Sequence, residues 1–204
     1  MAAILKICSD NRYILIRNHH RPEVFGPIGG VYEYYPSASN QLDQCGFIPQ
    51  VRDQDMQNDL RGFLKGKYLP SFMRWFLSGK NREVEPLTRE LKEELEEIGL
   101  TEEANAIRAF QYEFIKTIYE GPDKVPGADY LQFRCFWIFQ LCPRDPEGLK
   151  LSERLFREVE HNHDLIAVTA AEIAARRATS GQVIGSHTGY LIGDKRTGPE
   201  EPPF

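Results

Sequence analysis

The sequence predicts an α/β fold, with helices layered on a mixed sheet, on three observations. Strand-like runs lie on both sides of one strongly patterned central helix. A short capped helix late in the chain is placed to cover the other sheet face, and no internal repeat competes with this layout. At 204 residues with 41% hydrophobic side chains, one core can bury most of the apolar groups. A single domain over residues 1–192 is the expectation.

The elements follow in order. Residues 3–8 and 13–17 are β-rich runs separated by Ser9-Asp10-Asn11, a hairpin signal. Residues 28–34 read as the next strand, and the paired Gly29 and Gly30 let another group approach the backbone closely. Phosphate approach and a simple change of chain direction stay equally open there. Residues 36–58 turn polar and aperiodic, a loop, and 60–64 read as a helical turn. Residues 70–79 carry a helix signature: Pro70 near the start, Phe72, Trp75 and Phe76 on one face, Gly79 as the stop. Residues 36–80 thus form an inserted segment with helical character. Beyond the central helix, 107–119 and 130–141 read as long strands joined by the turn-rich loop 121–127. Residues 152–160 read as a helix and 165–168 as a strand. Thr169 to Glu172 is a capping box opening a helix over 173–178. From Gly193 onward the composition is that of a disordered tail.

The central helix holds the chemistry. Glu90, Glu93, Glu94 and Glu97 fall within a sector of roughly 100°, while Leu87, Leu91, Leu95 and Ile98 form a separate apolar stripe. Like charges three and four residues apart oppose each other by a few tenths of a kcal/mol per pair. Lys92 points away and Arg89 borders only the Glu93 edge, so neither is expected to neutralise the set. A solvated surface face explains the pattern; so does a divalent cation, since Mg²⁺ and Mn²⁺ favour carboxylate oxygens.

Arg89-Glu90-Leu91-Lys92-Glu93-Glu94 matches the R-E-U-x-E-E half of a Nudix box (U is a bulky aliphatic), and Phe25-Gly-Pro-Ile-Gly-Gly-Val31 resembles the Gly-Gly strand before it. The chain therefore resembles a Nudix hydrolase. Asp59-Leu60-Arg61, Trp75, Arg82-Glu83 and Arg89 to Leu95 make it similar to the SMODS-associated Nudix domains, which accompany bacterial nucleotide second-messenger defence systems. The family's Gly should follow the second Glu by two residues; here that position is Glu96, and Gly99 arrives three residues late. An alternative register ends the box at Glu96-Glu97-Ile98-Gly99-Leu100, but it places Lys92 where Arg belongs and Glu94 where a core aliphatic must sit. The first register keeps Leu91 in the apolar stripe and is preferred.

The resemblance implies a Nudix-like α/β/α sandwich with a mixed sheet and an inserted helical segment. It implies a metal-dependent hydrolase of a nucleotide derivative or signalling nucleotide, or a Nudix-fold module that senses such a ligand without turnover. Glu90, Glu93 and Glu94 would be the catalytic acids, with Glu90, Glu93, Glu94 and Glu97 the set holding Mg²⁺ or Mn²⁺. Arg89 would fix the helix through an ion pair with Glu83 or Glu85. A remote acid often assists; Glu113, Glu153 and Glu158 are unranked candidates. Gly29, Gly30, Arg74 and Arg82 would contact the ligand, the arginines because Arg61, Lys65, Lys67, Arg74, Lys80 and Arg82 make the insert basic within a chain of net charge −5.

Other chemistries find no support. No G-x-S-x-G elbow, G-x-x-x-x-G-K-[ST] loop or G-x-G-x-x-G occurs. His19-His20, His161 and His163 read as ordinary histidines, and His187 lies between Gly185 and Gly189 in the last stretch expected to be ordered. The four cysteines contain no C-x-x-C pair and no secretory leader is visible, so reduced thiols and a cytoplasmic setting are expected. The expected partner is a nucleotide-type small molecule. Neither a membrane nor sequence-specific nucleic acid is expected, given the acidic net charge and the lack of a long apolar run. A homodimer is left open.

Overall fold

In the computed structural model, residues 1–50, 58–107 and 110–197 are described. Part of the expected polar loop, 51–57, and the end of the expected tail lie outside them. Two mixed sheets form the centre instead of one. The first has the order β5-β1-β9-β8, from β1 (Ala2–Lys6), β5 (Gly29–Val31), β8 (Tyr112–Lys124) and β9 (Leu131–Leu141). β1 runs parallel to β9, with Ala3 opposite Trp137, and antiparallel to β5. The second has the order β10-β3-β4-β11, from β3 (Arg12–Asn18), β4 (Arg21–Gly26), β10 (Leu165–Thr169) and β11 (Val183–Ile184), with β2 (Cys8–Ser9) paired to β3. The hairpin read at Ser9-Asp10-Asn11 is therefore β2–β3, and Asp10 and Asn11 take the positive φ values such a tight turn requires.

Strand periodicity explains the layers. In β1, Ala3 and Leu5 join the core beneath the helices, while Ile4 between them enters the core between the sheets. Ile14 and Ile16 divide from Leu15 in the same way along β3. Side chains alternate in direction, so a run that is apolar at every position needs both faces covered. Helices supply the cover. α2 (Leu69–Leu77) buries Phe72, Trp75 and Phe76, as its stripe predicts. α3 (Leu87–Glu97) buries Leu87, Leu91 and Leu95 completely. At roughly 2 kcal/mol for each fully buried Leu, these three contribute most of what holds α3 on the sheet.

Several local expectations are corrected. The polar stretch after Pro36 contains α1 (Ser39–Gln44), anchored by the buried Leu42. Residues 60–64 form no helical turn: Gly62–Phe63 is β7, paired with β6 (Ile48–Pro49). β8 continues through Gly121-Pro122 across a register shift, so the loop between the long strands is shorter than the sequence implied. After the short α4 (Thr101–Ala106), α5 starts earlier than expected, as Pro146–Glu158, because the Asp145 side chain caps it. The capping box at Thr169 and Glu172 is present and opens α6 (Ala170–Ala175). The start of the expected tail is docked: Lys116 donates to the Gly193 carbonyl and Asp194, and Arg196 pairs with Glu120. No helix among the described residues is long and apolar enough to cross a membrane.

Candidate active site

The turn before α3 sets its direction. Glu85 accepts from the Thr88 backbone N–H at 3.1 Å and from the Thr88 hydroxyl at 2.8 Å, closing two donors of the first turn. With the leucines facing inward, the four acids take the opposite side. Gly30 in β5 lies directly against Glu90: a Cβ added there would meet the Glu90 carboxyl carbon at 1.8 Å. Gly29 is constrained by packing as well, since its Cβ would meet the Ala3 carbonyl oxygen at 2.3 Å. The close approach allowed by the paired glycines is thus to β1 and to an acid of α3.

Arg89 is the hub of this face, which corrects the expectation that it neutralises only one edge. Its Nε lies 3.0 Å from Glu83 and 3.9 Å from Glu33, and its terminal nitrogens lie 2.8 Å from Glu90, 3.3 Å from Glu93 and 3.1 Å from the Val31 carbonyl. One guanidinium thereby ties α3 to β5 and to the segment before the helix. Of the two partners anticipated for it, Glu83 is the one found. Burial pulls the guanidinium's affinity for its proton down, but hydrogen bonding to Glu83 and the charges of Glu90, Glu83 and Glu33 more than offset this and raise it.

Arg89 does not relieve the whole face, and Glu94 and Glu90 remain in tension. Burial, and then the charges of Glu97, Glu90 and Glu93, push the Glu94 carboxyl up to about 8. Burial pushes Glu90 up to about 7, with Arg89 pulling the other way. Among the described residues no three acidic, histidine or cysteine groups converge closely enough to hold an ion as placed, Glu90 and Glu93 being turned towards Arg89. The donor set itself is the hard oxygen chemistry that suits Mg²⁺ or Mn²⁺, and a cation would relieve the repulsion felt at Glu94.

Glu96 is exposed and lies 3.8 Å from Lys92, off the acidic face. Glu96→Gln is expected to leave turnover within twofold and stability within about 0.5 kcal/mol, as for an exposed helical pair. A loss matching that of Glu94→Gln in a steady-state assay would instead favour the later register. Gly30→Ala separates site from scaffold. The added methyl meets the mobile end of Glu90, so stability should fall by no more than about 1–2 kcal/mol. Displacement of Glu90 should lower kcat by about 100-fold. Unchanged kcat in a folded variant would remove Glu90 from the reaction.

The two arginines proposed as ligand contacts separate. Arg74 stands exposed on α2. Arg82 is 2% exposed, a correction to its expected role as a phosphate grip. Its guanidinium lies over Phe76, Tyr32 and Trp137, with centroid distances of 4.1, 5.0 and 5.3 Å, and donates to the Phe76 carbonyl at 2.6 Å and to the Glu83 carbonyl. Elsewhere in the insert, Arg61 lies 3.6 Å from Asp59, and the Lys67 ammonium sits over the Tyr68 ring. Among the remote acids, Glu113 accepts from Gln140 at 2.7 Å, Glu158 pairs with Arg154 at 2.8 Å, and Glu153 is exposed on α5.

Two residues enter unforeseen. Glu33 reaches Arg89, and its place three residues after Gly30 was the available signal. His19, in the β3–β4 turn, lies 4.0 Å from Glu97, a long-range approach that no spacing encodes.

An acidic helix face packed against a Gly-Gly strand, within an α/β sandwich, defines a Nudix fold. The chain belongs to the SMODS-associated NUDIX domain family, whose sequence model matches residues 1–192. No curated protein and no solved structure matches it.

Proposed function

We propose that this protein is a metal-dependent hydrolase that cleaves a phosphoanhydride or phosphodiester in a nucleotide derivative or signalling nucleotide, in the setting of bacterial nucleotide-signalling defence. The observation that carries the reading is the burial of Glu94 beside the like charges of Glu97, Glu90 and Glu93, which together raise its carboxyl to about 8. Burial and like charge make that arrangement unfavourable unless a cation joins it. A divalent ion held by Glu90, Glu93, Glu94 and Glu97 would neutralise developing phosphoryl charge and lower the pKa of bound water. Glu90, held between Gly30 and Arg89, would serve as a further ligand or as the base for the attacking water. Arg89 positions: by gripping Glu83 and the Val31 carbonyl it fixes the helix against β5.

The same contacts favour a second reading. Arg89 engages Glu90 and Glu93 in ion pairs of its own, as suits a module that binds a nucleotide without turnover. Incubation with nucleoside triphosphates, dinucleotides and cyclic oligonucleotides, with Mg²⁺ or Mn²⁺, separates the two. Metal-dependent product release supports the hydrolase; saturable binding with no product from any member supports the sensor.

Arg74 remains the insert's candidate for substrate phosphates. Arg74→Ala is expected to raise KM about threefold to tenfold and flatten its salt dependence while leaving kcat within twofold, because uniform binding acts on KM. An unchanged KM would return that helix face to a purely structural role.

A further inference from the structure

Beside the start of α3 lies an open cleft of about 650 Å³, within the range of small-molecule sites. Its walls are aromatic: Phe110, Tyr112, Phe114, Trp137 and Phe139, with Glu85 as the acid among them. Phe114 and Phe139 meet edge to face at 5.6 Å, and Trp137 meets Phe139 at 6.5 Å, so ring faces and edges of differing orientation border one space. Phe114 is 53% exposed, an apolar ring facing water on a strand at the sheet edge.

A polar edge accompanies the rings. Glu85 uses part of its acceptor capacity on Thr88, and a carboxylate offers about four lone-pair directions, so some remain for a ligand N–H. The Tyr112 hydroxyl lies 3.3 Å from the Thr88 hydroxyl and extends this hydrogen-bonding edge. Rings for stacking together with an acceptor at one side suit a flat heteroaromatic group carrying N–H donors, better than an aliphatic chain or a bare phosphate.

The cleft borders the segment that leads into α3. Glu83 and Glu85 are alternate residues of one short segment: Glu83 binds Arg89 among the acids, and Glu85 lines the cleft. A ligand with a ring in the cleft would therefore have its polar remainder beside α3.

We infer that this cleft is the nucleobase subsite of the protein, seating the base of the nucleotide whose phosphates lie on the acidic face of α3. This rests on the nucleotide reading above, and its test is made independent of turnover. The probes are adenosine, guanosine, cytidine and uridine, without phosphate or added metal. The chain has two tryptophans, Trp75 in the core and Trp137 in the cleft, so their indole N–H resonances report core and cleft separately. At least one nucleoside should shift the Trp137 indole saturably and leave that of Trp75 in place. Phe114→Ala, a truncation at an exposed position, should weaken that binding by about tenfold, as expected for loss of one stacking partner.

No shift at millimolar nucleoside, or a shift indifferent to Phe114→Ala, overturns the subsite. If nucleotides are nevertheless hydrolysed, the hydrolase reading stands without it. If nucleosides bind at Trp137 and no nucleotide is turned over, the subsite stands and the hydrolase reading falls.

Discussion

Glu94→Gln should reduce kcat by about 1,000-fold and, in metal-free protein at pH 8, raise the melting temperature. The first effect follows from removing an anionic ligand or catalytic group, typically a loss of 10²–10⁴. The second follows from the carboxyl's raised value. An ordinary glutamate titrates near 4.5, but Glu94 in the folded protein holds its proton until about 8. Between these values the folded state binds a proton that the unfolded state has released, so stability falls as pH rises through the window. Glu90, raised to about 7, adds to the same slope. Glutamine carries no charge to bury, so Glu94→Gln should flatten the metal-free stability profile above pH 4.5, by an amount on the order of 1–2 kcal/mol at pH 8. Thermal denaturation across pH 5 to 8 in chelator, with and without the substitution, reads this directly. A variant that melts lower than wild type at pH 8 would make Glu94 a structural acid.

Arg82→Ala should be the most destabilising single change in the basic insert, by about 3 kcal/mol. It removes a desolvated cation from three aromatic rings and takes from the Phe76 carbonyl the shorter of its two hydrogen bonds, the other coming from the Gly79 N–H at 3.2 Å. For a chain of this length that corresponds to a fall in melting temperature of roughly 6–12 °C. Arg82→Lys should recover little, since an ammonium cannot stack or fork as a guanidinium does. If Arg82 instead gripped phosphate, alanine would leave the melting temperature in place and raise KM. Differential scanning calorimetry beside steady-state kinetics decides it.

What was legible in the sequence is local. The acidic and leucine faces of α3, the aromatic stripe of α2, the β2–β3 turn and the capping box at Thr169 are all fixed by neighbours within one or two turns. What was hidden is set by partners distant in the chain. Arg82 looked like a surface cation because charged groups are seldom buried, and the rings of Tyr32, just past β5, and Trp137, in β9, join Phe76 to make its burial tolerable. Glu83 was a foreseeable partner of Arg89, six residues away, whereas Glu33 reaches the same guanidinium only because the chain after β5 lies beside the helix. His19 reaches Glu97 only once the β3–β4 turn is placed beside the end of α3. The division into two sheets was equally invisible, since apolar runs report that both faces are covered without saying by what.

The parallel pairing of β1 with β9 sets the tempo at which this protein can assemble. β1 sits inside its sheet, and the partner of Ala3 is Trp137, so the earlier segment must wait for one made more than a hundred residues later. Contacts that span so much chain slow the search for the native topology. During synthesis Ala2–Lys6 would emerge with its neighbour β9 still unmade, an apolar strand with an open edge. The hairpin of β3 and β4, whose pairing is nearly contiguous, has no such wait. The second sheet's hairpin is therefore positioned to organise first, and the sheet that presents Gly30 to Glu90 is completed only after the whole of α3 has been made.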